Sequence, residues 1–109
     1  MSRPAFVTIK HVKCHSMNDY TGSDDLFGVL GPVRFRIGSF APGDELSMDI
    51  TQIVPAGEFY LKIVENDVIS DDDIGYIDLT EVMDADYTRN VQGADANYDI
   101  TFFVQSVAD

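Results

Sequence analysis

The sequence predicts an all-β protein, a single antiparallel β-sandwich of about six to eight strands spanning residues 1–109 as one domain. Three observations carry this expectation. Short segments alternate apolar and polar residues with the period of a half-buried strand. Turns containing Gly or Pro separate them at short intervals, and no stretch sustains a helical period. The apolar content is also ordinary for a folded chain, and 109 residues suffice for one core but not comfortably for two.

Taken in order, Phe6-Val7-Thr8-Ile9-Lys10-His11-Val12-Lys13-Cys14 reads as the first strand. Its apolar parity changes between Ile9 and Val12, which predicts a bulge near Lys10-His11. A polar loop with Gly22 at its bend runs from Asn18 to Gly28 and holds Asp19, Asp24 and Asp25. Gly31-Pro32 punctuates the chain before Val33-Arg34-Phe35-Arg36-Ile37, where Val33, Phe35 and Ile37 should face inward and the two arginines outward. Pro42-Gly43-Asp44 is a turn, Leu46 to Ile50 alternates again, and Pro55-Ala56-Gly57 is a second turn. Phe59 to Val64 is the next strand, with Phe59, Leu61 and Ile63 on one face. Gly75 to Leu79 follows it across an acidic loop. From Thr80 to Asn97 the signal weakens to a long loop, with a short helical turn expected around Glu81-Val82-Met83 under a Thr80 cap. Tyr98 to Val104 closes the sandwich, placing Tyr98, Ile100, Phe102 and Val104 on one face. Phe6, Phe35, Phe59, Phe102 and Tyr98 are the expected aromatic core.

Composition narrows the function. Nineteen acids against seven bases give a formal charge of -12, a surface that repels nucleic acid and anionic membranes. Cys14 is the one cysteine, so neither an intrachain disulfide nor a cysteine-rich zinc site can form. Cys14 and His15 are adjacent on a strand and point to opposite faces, so they make no catalytic dyad. No nucleophile elbow, phosphate loop or dinucleotide fingerprint is present, and no enzymatic activity is expected. The N-terminus has no long apolar run, which makes the cytoplasm the expected location.

Chemistry concentrates in the acids between two strands. Glu65, Asp67, Asp71, Asp72 and Asp73 share a segment, Glu65 to Gly75, that contains no Lys or Arg. Repulsion among them is expected to go uncompensated within the segment, and a hard divalent cation would supply the missing charge. The Asn18–Phe27 loop has the same design, with Asp19 and Asp25 six residues apart around Gly22. The spacing of an EF-hand is absent, so two loops at one end of the sandwich would have to share the ion.

These two loops resemble those of C2 domains, the calcium-dependent membrane-binding β-sandwiches. Asp19-Tyr20-Thr21-Gly22-Ser23-Asp24-Asp25-Leu26-Phe27 is similar to the family's first calcium loop, without its usual Pro before the aromatic. Glu65-Asn66-Asp67-Val68-Ile69-Ser70-Asp71-Asp72-Asp73-Ile74-Gly75 is similar to the third, with Glu where Asp is usual. The resemblance implies a C2-like sandwich that takes calcium as its cofactor, with Asp19, Asp25, Glu65, Asp67 and Asp73 as ligands. Ion binding would then gate a protein or glycan partner. The family's central Asn-Pro-aromatic segment and its Lys-rich strand are missing, so membrane binding is expected to be weak. The contrasting expectation, from another functional class, is a metal-independent acidic module for protein interaction or structural assembly.

Overall fold

The computed structural model describes residues 5–16, 24–55, 57–58, 60–66, 71–79 and 85–106. Among them eight strands run in chain order: β1 (Ala5–Ser16), β2 (Asp24–Leu30), β3 (Val33–Phe40), β4 (Glu45–Val54), β5 (Tyr60–Glu65), β6 (Asp72–Asp78), β7 (Tyr87–Gly93) and β8 (Ala96–Ser106). They form two four-stranded antiparallel sheets, ordered β4-β1-β8-β7 and β3-β2-β5-β6. This is the expected sandwich.

The bulge near Lys10-His11 is present. The register slips between Ile9 and His11 against both neighbours of β1. Val7 and Ile9 therefore face inward before the slip, and Val12 and Cys14 after it, all fully buried. That parity turns Phe6 outward, where it pairs with Ile53 and is only half-buried, contrary to its expected place in the core. Phe35, Phe102 and Tyr98 do lie in the core, whereas Phe59 lies outside the described residues. Full burial of each Ile or Phe contributes about 1.5–3 kcal/mol, so this interior is the main source of stability.

Two tight hairpins frame the sheets. Gly31 (φ 58°) and Pro32 join β2 to β3. Ala94 (φ 49°) and Asp95 (φ 66°) join β7 to β8, so two residues with side chains occupy the left-handed region that this turn demands. On one flank the sheets meet at a seam. A Cβ on Gly93 would run into the Ile74 carbonyl oxygen, and one on Gly75 would sit 3.0 Å from Val91 Cβ, so β6 and β7 approach closely because these positions are glycine.

Two further expectations need correction. The 80–97 segment is not a long loop throughout, since Tyr87–Gly93 is an edge strand. The acidic segments are also shorter than expected: Asp24 and Asp25 begin β2, and Asp72 and Asp73 begin β6. The helical turn expected at Glu81 to Met83 lies outside the described residues.

Candidate functional site

β2 and β5 are antiparallel neighbours, so the start of one lies beside the end of the other. Leu26 stands opposite Glu65, and the Asn66 N–H donates to the Asp25 carbonyl at 2.9 Å. Both acidic segments thus spring from adjacent strands at one end of the sandwich. Two turns join them there. Cys14 N–H donates to Asp44 O and Gly43 N–H to Cys14 O, each at 2.8 Å, while Ser16 Oγ donates to Asp95 O at 3.2 Å. Asp24, Asp25, Asp44, Glu65, Asp71, Asp72, Asp73 and Asp95 all belong to this end or its strand termini.

Strand parity divides these acids into two groups. Along β2 the buried positions are Asp24, Leu26, Gly28 and Leu30, so Asp24 points into the sandwich and Asp25 out of it. Asp24 is fully buried and accepts a 2.8 Å hydrogen bond from the Tyr98 hydroxyl. Burial first, and then this bond, push the Tyr98 phenol far above its ordinary pKa, so it remains a donor. Tyr98 also packs edge-on against Phe40, with centroids 5.9 Å apart. Burial raises the neighbouring Cys14 thiol, which argues against a reactive thiolate. Glu65 is the other buried acid among the described residues, 3% exposed, continuing the inward positions of Leu61 and Ile63.

Three of these acids, Asp25, Asp71 and Asp73, are matched by cations that the same sheet carries. Arg36 Nε donates to Asp25 at 2.9 Å, and Lys62 Nζ lies 2.9 Å from Asp73. Asp73's hydrogen bond is the main reason the Lys62 ammonium titrates above its ordinary value. Arg34 grips Asp71 through both Nε (3.2 Å) and Nη2 (3.0 Å), reaches Asn66 Oδ1 at 3.0 Å, and lies 3.8 Å over the Phe27 ring. Carboxylate repulsion expected to go uncompensated is therefore relieved at three acids by bases remote in sequence. These pairs are partly exposed, and each contributes about 0–1 kcal/mol.

Of the five candidate ligands, Asp19 and Asp67 lie outside the described residues. Asp25 and Asp73 occupy the outer face in ion pairs, while Glu65 is buried. The fold brings these three to one end but not to one side. Among the described residues, no three of His, Cys, Asp and Glu converge as a metal cluster. The donors are all carboxylate oxygens, the hard chemistry calcium takes, but the described ones fit a shared shell only in part. Asp24 is the site residue that the sequence reading passed over. Its signal was available: the inward parity of Leu26 and Leu30, extended backward, lands on Asp24. The two histidines serve the other sheet's outer face, His11 between Glu45 and Ser47, and His15 on Asp99 at 2.7 Å.

No family model matches the chain, and no curated protein sequence matches it. Similarity emerges with solved structures. A C2 domain of plant extended synaptotagmin 1 aligns over 99% of this chain and 98% of its own, with 8% identity and a TM-score of 0.51. A structure containing two C2 domains of extended synaptotagmin 2 aligns over 98% of this chain and 43% of that one, with 11% identity and a TM-score of 0.50. Human group IVD cytosolic phospholipase A2 aligns over 97% of this chain, with 12% identity and a TM-score of 0.53, yet this chain covers only 16% of it. At such identities the shared property is the fold.

Proposed function

The chain folds as a C2-type β-sandwich, and from that premise we propose that it is a non-enzymatic module that binds calcium at its acidic end. Ion binding would gate attachment of a protein or glycan partner. The observation that carries this reading is the Asn66-to-Asp25 hydrogen bond, which ties the roots of the two acidic segments together above the buried Asp24 and Glu65. The proposed ligands are Asp19, Asp25, Glu65, Asp67 and Asp73. Asp25 and Asp73 would have to release Arg36 and Lys62 to join the shell. Calcium would supply positive charge at an end of a chain whose formal charge is -12 and so turn its local field. Membrane attachment is the weaker outcome, since Arg34, Arg36 and Lys62 are already committed to acids.

A thermal melt in calcium and in chelator tests the reading. Free calcium at about 100 times Kd should add roughly 2.7 kcal/mol, because the unfolded chain lacks the assembled ligands. Asp67→Asn should abolish most of that gain. A melting temperature that does not change between millimolar calcium and chelator would overturn it. The second reading is then the metal-independent acidic interaction module. One observation favours it: three bases of the same sheet already pair with acids at this end.

A further inference from the structure

The outer face of the β3-β2-β5-β6 sheet carries a feature that calcium binding does not use. Tyr60 on β5 and Tyr76 on β6 are 53% and 60% exposed, although each could bury a large ring in a core. Their rings stand nearly perpendicular, at 81°, with centroids 6.3 Å apart, and line an open groove of about 300 Å³. Lys62 is directly opposite Tyr76 in the ladder, and Asp78 is opposite Tyr60. The Lys62 ammonium lies 6.0 Å from the Tyr76 ring, at the outer limit of a cation–π contact, and is held there by Asp73.

We propose that the Tyr60–Tyr76 corner is a docking site for an Arg or Lys side chain carried by a basic protein segment. Perpendicular rings present a π face to a cation entering from either side of the groove. The charge balance suits the same occupant. The chain's formal charge of -12 draws cations, and the bases of this face do not oppose one, since Arg34, Arg36 and Lys62 are each matched by an acid. The chain also uses this chemistry internally, setting Arg34 over Phe27 at 3.8 Å and Arg89 over Tyr87 at 5.3 Å. Polyanions and anionic bilayers are disfavoured by the same field that recruits a basic segment. Neutral occupants, a proline-rich segment or a sugar, would gain nothing from it.

The test is a ¹³C-tyrosine NMR titration in chelator at about 150 mM salt, which separates it from the calcium reading. The probe is acetyl-Gly-Ser-Arg-Arg-Ser-Gly-amide, with its citrulline counterpart, a hexaproline peptide and maltotriose as neutral controls. The arginine peptide should shift the Tyr60 and Tyr76 ring resonances at concentrations where none of the controls does. Isothermal titration calorimetry with the same peptide reads affinity in variants that lack these rings: replacing both tyrosines (Tyr60→Ser with Tyr76→Ser) should weaken binding about tenfold, whereas Tyr60→Phe with Tyr76→Phe should preserve it. Unchanged affinity in the serine pair would overturn the proposal, leaving only diffuse attraction to an acidic surface. Equal ring shifts from any neutral probe would overturn it in favour of that probe's class. Absence of any shift with the arginine peptide would overturn it outright. Should the serine pair fail to fold, Tyr76→Ser alone against Tyr76→Phe gives the same decision.

Discussion

Tyr98→Phe isolates the buried polar contact beneath the acidic end. The substitution preserves ring volume and the edge-on packing against Phe40, and removes only the hydroxyl that donates to Asp24 at 2.8 Å. Both residues are fully buried, so water cannot replace the lost donor. A hydrogen bond to a charged group is worth about 1.5–3 kcal/mol, and a buried acceptor left short adds its own penalty. Asp24 retains at least one further interaction, which limits that penalty. The expected loss is about 2 kcal/mol at neutral pH, or roughly 8–10 °C in Tm for a domain of this size. Alkaline pH supplies a second readout. The folded phenol pKa is raised above the ordinary value of 10.0, so the native state holds a proton that the unfolded state gives up. Tyr98's contribution is therefore intact below about pH 10 and falls as pH rises beyond it, by about 1.4 kcal/mol per unit. Thermal or urea melts of wild type and variant at pH 7 and pH 10.5 measure both effects. A loss below about 0.5 kcal/mol, the range of ordinary surface changes, with identical alkaline slopes would refute the reasoning.

Two further substitutions probe the frame. Ala94→Asn should stabilise the chain by about 0.5–1 kcal/mol in a melt, because Asn tolerates the left-handed backbone better than Ala does. Gly93→Ala should cost about 3 kcal/mol, since its Cβ meets the backbone oxygen of Ile74, which cannot swing aside as a side chain would; urea unfolding that matches wild type would show that the seam yields.

Most of the sandwich was legible because strands with one buried face obey a two-residue period. Phe35 and Ile37 on β3, and Ile100, Phe102 and Val104 on β8, announce their faces directly. β7 was not legible, because its sole buried side chain is Val91, and a strand that faces water on both sides has no apolar alternation to display. Phe6 misled for a related reason: the slip at the bulge flips parity, and which side of it faces inward depends on β4 and β8. At the acidic end the residue types were legible and the roles were not. Asp24 and Asp25 look interchangeable in a string, yet one meets Tyr98 and the other Arg36, partners 74 and 11 residues away. Arg34, Arg36 and Lys62 likewise read as ordinary outward residues until the sheet brings Asp71, Asp25 and Asp73 to them. Charge balance at a loop depends on the neighbouring strands, and a linear segment does not contain it.

The pairing of β1 with β8 also governs when this protein can exist. These strands lie side by side in the middle of their sheet, with Ala5 opposite Ser106, although they come from opposite ends of the described chain. During synthesis β1 must wait for nearly everything else to emerge before it finds that neighbour, and a long-range pairing of this kind slows folding. In the interval β7 lacks its only ladder partner within the sheet, and Asp24 lacks the hydroxyl that arrives on β8. The nascent chain thus carries an acid destined for burial before that hydroxyl exists, so the acidic end should be among the last parts to lock.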